Sequence, residues 1–282
     1  DPIEKKPLFH FLPGSRSFSI ATVGCNLQCE FCQNSDISQY PREEGRITGR
    51  DFFPEDVAQE AQAHHCASIA YTYTEPTIYL EYVLDTAAVA KTRGIANVLV
   101  TNGYTTADVI RDEFPGLIDA ANVDLKAFTE RFYKELCKAR LKPVLDAIQA
   151  YHAAGVWIEL TTLLIPGEND SAQELKDIAV FIKSVSADIP WHVSRYYPRY
   201  HYDKAGPTPI DALEQARDIG LAEGLRFVYT GNVPGRVGEH TYCPQCGATV
   251  IERMGFSIQA RRMVDGCCAQ CRTPIPGRFA QG

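Results

Sequence analysis

No run of apolar residues in this 282-residue chain approaches the ~18 needed for a membrane-spanning helix, so no membrane partner is expected. An excess of positive charge is also missing. With 28 Lys and Arg against 35 Asp and Glu, the net charge of −7 argues against nucleic acid, whose phosphates need clustered cations. There is no internal repeat, no low-complexity tract and no signal-peptide pattern. The chain opens at Asp1 rather than Met, so upstream residues are expected. The remaining composition, 45% hydrophobic and 22% charged, is ordinary for a globular protein. The length suits one large α/β domain with a small module.

One further absence is local. Cys25, Cys29 and Cys32 form a C-x3-C-x2-C array with no fourth cysteine near them in sequence. Three thiolates can hold three irons of a [4Fe-4S] cube and leave the fourth iron open. An open iron suits chemistry as well as electron transfer. Zinc would instead use C-x2-C pairs from two separate knuckles. Seven of the ten cysteines fall into metal-type spacings in a chain without a signal, which reads as cytoplasmic metal binding rather than disulfides.

Two knuckles do occur near the C-terminus. Cys243 and Cys246 form one pair, Cys268 and Cys271 the other, with 21 residues between them. This reads as a structural four-thiolate zinc ribbon, stabilising about 40 residues that could not build a core alone. An auxiliary iron–sulfur cluster or a rubredoxin-type iron suits four thiolates too. Cys267 adjoins Cys268, but the x2 spacing favours Cys268, and Arg272 stands where a knuckle often has glycine. The glycine-rich stretch 231–240 marks a boundary, giving a main domain at 1–235 and the ribbon at 236–282.

Between these arrays strand and helix signals alternate. Strands are expected over 17–23, 68–73, 96–101, 120–125, 156–165, 191–197 and 225–230. Helices are expected over 77–91, 130–137, 144–154, 171–185 with Asp170 as N-cap, and 210–223. Residues 1–16, with three prolines, read as a leading loop. Alternation argues for parallel strands and right-handed crossovers, in an open doubly wound sheet or an incomplete barrel. In either, residues just after the strands gather at the carboxyl edge of the sheet.

Five segments together resemble the radical S-adenosylmethionine (SAM) enzymes of the AmmeMemoRadiSam system, relatives of the pyruvate formate-lyase activating enzymes. They are Asp1-Pro2-Ile3-Glu4-Lys5-Lys6-Pro7-Leu8, the cysteine loop with Phe31 before its third cysteine, Tyr73-Thr74-Glu75-Pro76-Thr77, Asp124-Leu125-Lys126 and the C-terminal cysteines. The resemblance covers almost the whole chain. It implies a partial (β/α)6-type TIM barrel, a [4Fe-4S] cluster and SAM. It also implies a low-potential electron donor such as flavodoxin or ferredoxin. The open iron would chelate SAM, and one electron would release a 5′-deoxyadenosyl radical that abstracts hydrogen from a substrate, a protein among the candidates.

By the same resemblance, Asn34, Thr74, Glu75, Pro76, Thr101, Asn102, Asp124, Lys126 and His192 are candidate SAM contacts. Val100 stands where activating enzymes often carry an Asp for a cation. Plainer roles exist for several: a turn or cap for Asn34, a helix N-terminus for Glu75, a rim salt bridge for Asp124 and Lys126, and a structural ring for His192. Cys137 lies outside both arrays, near Lys134, Lys138 and Arg140, and is a candidate catalytic thiol or a buried inert one. Tyr196, Tyr197, Tyr200 and Tyr202 line a substrate pocket or pack its rim. Three rival functions remain at this level. They are glycyl-radical activation of a partner protein, SAM cleavage at another C–S bond with alkyl transfer, and a non-catalytic iron–sulfur and zinc scaffold. Thr161 and Thr162 stand where activating enzymes tend to have a basic residue.

Overall fold

A computed structural model describes residues 1–235 and 237–279. Seven parallel strands form one sheet in the order β1 (Ser17–Ile20), β2 (Ser68–Tyr71), β3 (Ala96–Thr101), β4 (Ala120–Asp124), β5 (Trp157–Leu164), β6 (Trp191–Arg195) and β7 (Val228–Gly231). This order answers the question the alternation left open. A doubly wound sheet must reverse direction at a switch point. Here every crossover steps one strand the same way, and crossovers of one hand place all helices on one face. The result is a partial TIM-type barrel, with β1 and β7 as the two end strands of the sheet among the described residues.

Two short helices, α1 (Ser35–Ser38) and α2 (Tyr40–Glu44), follow the cysteine loop. Then come α3 (Pro54–Ala63), α4 (Leu80–Thr92), α5 (Ala107–Glu113), α6 (Glu130–Phe132), α7 (Leu141–Ala153), α8 (Ala172–Val185) and α9 (Ile210–Ala222). Helix α3 was not among the expected elements. Its signals are Pro54, Glu55 and Asp56 in the first turn, and a narrow buried stripe of Val57, Ala58 and Ala61. Ser171, not Asp170, caps α8, accepting from Glu174 N at 3.2 Å; Asp170 instead accepts from Gly167 N at 2.9 Å. The helix expected over 130–137 starts as α6 and continues as a π-helical turn, Tyr133–Cys137.

Side chains alternate across each strand. Ile69, Tyr71, Leu99, Ala121, Val123, Ile158 and Leu160 belong to the core under the helices. Ala70, Val98 and Ala120 point into the barrel and meet Ile3, Leu8 and Phe11. Residues 1–16 are therefore a plug inside the barrel, not a surface loop. Ile3 and Leu8 are fully buried, each worth about 1.5–3 kcal/mol of apolar transfer. The backbone N–H groups of Phe9 and His10 donate to Glu159 of β5 at 2.9 and 2.7 Å.

The C-terminal module adds a three-stranded antiparallel sheet, β8 (Thr241–Tyr242), β9 (Thr249–Met254) and β10 (Ser257–Arg261), and a ribbon of β11 (Met263–Val264) and β12 (Cys267–Cys268). Val250, Ile251 and Ile275 pack with Phe9, Phe227 and Tyr229, so the module shares its core with the barrel floor. Buried Arg253 donates to the Phe9 carbonyl at 2.8 Å. Gly277, at φ = +154°, lies where a Cβ would meet the His10 carbonyl at 2.6 Å, so only glycine fits. The expected domain boundary falls on Arg236, which lies outside the described residues. Among the described residues no helix is long and apolar enough to cross a membrane.

Candidate active site

At the carboxyl ends of β2 to β6 lies a cavity of about 450 Å³, within the range of ligand pockets. Cys25, Cys29 and Cys32 line it together with Asn34, Thr74, Glu75, Thr101, Asn102, Asp124 and Lys126. The fold thus brings together ten expected residues from four separate chain segments.

Polar contacts within the protein hold the cysteine loop. Cys25 Sγ accepts from Leu27 N at 3.4 Å and from Asn102 Nδ2 at 3.6 Å. Cys32 Sγ lies 3.1 Å from Ser38 Oγ. Polar donors aimed at sulfur are a way a protein tunes an iron–sulfur cluster. Burial pushes the Cys25 thiol up to about 12 and raises Cys32. Cys29 is raised well above its ordinary value, first by its hydrogen bond with Cys137 and then by burial. Free thiolates are therefore costly here, and cationic iron would compensate them.

Asn34 precedes α1, but its side chain does not cap it. Its Nδ2 donates to the Tyr73 carbonyl at 2.9 Å, tying the cysteine loop to the end of β2. Tyr73 sits at φ = +66°, and Thr74 N donates to the Thr72 carbonyl at 2.8 Å. This is the strained γ-turn geometry that functional loops use. Thr74 Oγ1 is buried in the cavity wall beside Tyr79 and makes no hydrogen bond among the described residues, so a ligand could take it.

Glu75 links two strand ends. Its Oε1 accepts from Thr77 N, Thr77 Oγ1 and Thr101 Oγ1 at 3.0, 2.7 and 2.8 Å, while among the described residues Oε2 accepts only from Asn102 N at 2.8 Å. Oε2 keeps a lone pair for a further donor. Burial raises the Glu75 pKa, opposed by these bonds. The Thr101-Asn102-Gly103 turn needs its glycine, at φ = +70°, because a Cβ would meet Val123 Cγ1 at 2.8 Å. Across the cavity, Lys126 Nζ pairs with Asp124 Oδ2 at 2.7 Å. Burial opposes the Lys126 charge, but Asp124, Cys29 and Cys137 outweigh it and hold the pKa well above the usual lysine range.

Three candidate site residues, the expected contacts Pro76 and His192 and the candidate catalytic thiol Cys137, lie elsewhere. Pro76 is buried as the first residue of a 3-10 turn, outside the cavity lining. His192 is 2% exposed, with Nε2 2.7 Å from Glu159 Oε2 and its ring stacked on Tyr229. It faces inward, but two residues too deep; Ser194, on the same face nearer the strand end, lines the cavity. Cys137 is fully buried behind Cys29 and does not line the cavity, so it has no access to a substrate. Of the tyrosines, Tyr196 donates to the Tyr202 carbonyl and Tyr202 to Glu168, both at 2.6 Å, as a packed rim.

Three further residues at or beside the cavity had no sequence signal. Asn26 accepts from Asn102 Nδ2 at 2.8 Å beside Cys25. Asn232 and Phe256 reach the mouth from after β7 and from the β9–β10 turn. Only Ser194 was within reach, by counting two residues on from His192.

In the C-terminal module, Cys243, Cys246, Cys268 and Cys271 bring their sulfurs within 4.8 Å of one another. Cys243–Cys271 and Cys246–Cys268 are 3.5 and 3.8 Å apart. This four-thiolate set could hold zinc. Cys267 points instead to the Asp265 carbonyl. The two knuckles are alike: Gly247 N donates to the Cys243 carbonyl and Arg272 N to the Cys268 carbonyl, both at 2.9 Å. Arg272 takes the left-handed φ of +64° that Gly247 takes at +71°.

Comparisons with known proteins identify the family. The model of the Radical SAM superfamily matches residues 19–182. An uncharacterized protein of Methanocaldococcus jannaschii is 45% identical over 92% of this chain and 76% of its own length. A putative glycyl-radical enzyme activating enzyme of the same organism is 24% identical over 74% of this chain and 85% of its own. The crystal structure of a radical SAM methyltransferase from Sphaerobacter thermophilus shares the fold, with a TM-score of 0.60 at 15% identity, over 81% of this chain and 71% of that one. With more than half its length under the family model and its three loop cysteines on one cavity at the barrel's carboxyl edge, this chain belongs to the radical SAM superfamily.

Proposed function

We propose that this protein cleaves SAM reductively at a [4Fe-4S] cluster and uses the product radical to abstract hydrogen from a substrate. Membership of the superfamily implies the cluster and SAM. The observation that carries the reading is the convergence on one cavity of three thiols, the half-free carboxylate of Glu75 and the ammonium of Lys126. The cluster, when bound, supplies the electron and the open iron. Cys25, Cys29 and Cys32 hold it. Glu75 Oε2 and Thr74 Oγ1 receive the SAM ammonium and a neighbouring polar group. Lys126, steadied by Asp124, faces the carboxylate through a charge-assisted bond. Asn34 and Asn102 fix the loops that carry these groups. Leu163, Val100 and Phe256 supply apolar wall that keeps water from the reacting carbon. A low-potential donor such as flavodoxin or ferredoxin delivers the electron.

The finer placement, among the AmmeMemoRadiSam enzymes, rests on the five shared segments. A second reading, activation of a glycyl-radical partner, is supported by the relative of that kind. Neutral Thr161 in the cavity wall, bonded to Asn122 Oδ1 at 2.9 Å, weighs against it. The test is anaerobic reconstitution with dithionite and SAM, followed by nucleoside analysis. 5′-Deoxyadenosine is expected, and Cys29→Ala should abolish it. 5′-Methylthioadenosine would replace the proposal with alkyl transfer. Neither product, from an intact cluster, would leave only a scaffold.

A further inference from the structure

We propose that Cys137 is a positioning residue for the cluster: its thiol donates a hydrogen bond to the sulfur of Cys29 and raises the potential at which the cluster is reduced. The inference rests on the cluster reading above. Its basis is a contact the sequence does not show, since 108 positions separate the two cysteines. Gln28 N donates to the Cys137 carbonyl at 3.1 Å and Glu30 N to the Leu136 carbonyl at 2.9 Å. These bonds flank Cys29 and press its segment against the π-helical turn Tyr133–Cys137. Such turns recur at functional sites because they re-aim side chains within a helix. Here the turn aims two groups at the end of β4. The Tyr133 hydroxyl accepts from Lys126 N at 3.0 Å, and the Cys137 thiol is buried in the same core as Cys29, close enough to raise its pKa.

The other two cysteines already have polar donors, Leu27 N and Asn102 Nδ2 for Cys25 and Ser38 Oγ for Cys32. Cys137 supplies the equivalent for Cys29. It cannot be a fourth iron ligand from where it stands, because it is fully buried and outside the cavity that the open iron would face. A donor to a ligand sulfur stabilises the more electron-rich, reduced cluster, as does the nearby Lys126 ammonium.

The experiment compares reconstituted wild type, Cys137→Ala and Cys137→Ser by potentiometric titration followed by electron paramagnetic resonance. Electron–nuclear double resonance of the reduced cluster is recorded in H₂O and D₂O. Cys137→Ala should titrate at a more negative potential and lose a strongly coupled exchangeable proton. Cys137→Ser, which keeps a donor, should stay close to wild type. A Cys137→Ala protein with a full cluster, unchanged potential and unchanged exchangeable couplings would overturn the proposal. So would a Cys137→Ser protein that shifts as far as Cys137→Ala. Failure of the wild type itself to form a [4Fe-4S] cluster would instead overturn the functional reading beneath it.

Discussion

Acid should destabilise this protein through His10, a ring at the centre of the barrel floor. His10 is fully buried; Nδ1 lies 2.6 Å from the Pro276 carbonyl and Nε2 2.6 Å from Tyr229 Oη. The carbonyl can only accept, so Nδ1–H donates and Nε2 accepts from Tyr229. Tyr229 Oη in turn lies 2.8 Å from Thr241 Oγ1, which accepts from Arg253 Nη1 at 2.8 Å. A second proton on His10 would meet the Tyr229 O–H head on. Burial, with the Arg253 charge and His192 adding, lowers the His10 pKa to about 4 against the negative charge of Glu159. An unfolded histidine titrates near 6.5. Above that pH both states are neutral and the stability is complete. As the pH falls below it the unfolded chain takes the proton first, and stability is lost until the folded ring protonates near 4. At pH 4 the loss is about 3 kcal/mol, and at pH 5 about 2 kcal/mol. The assay is urea unfolding of wild type and His10→Gln from pH 7 to pH 4. The variant starts weaker but lacks this slope, and acid release of metal, common to both, cancels in the difference. Parallel pH profiles for the two proteins would refute the reasoning.

Glu75→Gln should cost about 1–3 kcal/mol, because an amide turns a donor toward either Asn102 N or the three donors on Oε1. Its SAM affinity, measured by equilibrium dialysis of reconstituted protein, should fall at least tenfold. Metal removal by a chelator, or Cys246→Ser, should loosen the module and expose the shared layer of Phe9, Phe227 and Tyr229. Hydrogen exchange of β9 and β10 should rise while β3 and β4 stay protected. Arg272→Gly should stabilise the second knuckle by about 1 kcal/mol, because glycine takes φ = +64° without strain, read as slower metal release.

The cysteine spacings carried their chemistry in the sequence because ligand count and local reach are properties of a short segment. The triplet spans eight residues and each knuckle four, so no distant packing is needed to pair them. The β/α alternation was legible for the same reason: periods of two and of about 3.6 are local. Element ends were less so. Ser171 rather than Asp170 caps α8, and a π turn replaces the end of the expected helix, because capping and helix type depend on which groups neighbouring segments satisfy. Residues 1–16 looked like a loop through their prolines, yet the barrel interior needed apolar filling and took Ile3, Leu8 and Phe11.

Sequence by itself determined that three loop thiols could hold a cluster with an open iron and that four distal thiols could gather on a metal. Tertiary structure decided the rest. Strand order, a product of many non-local pairings, made the sheet a barrel. Depth along β6 put Ser194 in the cavity and His192 beneath it, where Glu159 holds it. Packing between Gln28–Glu30 and the turn ending at Cys137 brought a fourth cysteine beside the Cys29 segment. That contact joins residues far apart in the chain, and only the folded barrel makes them neighbours.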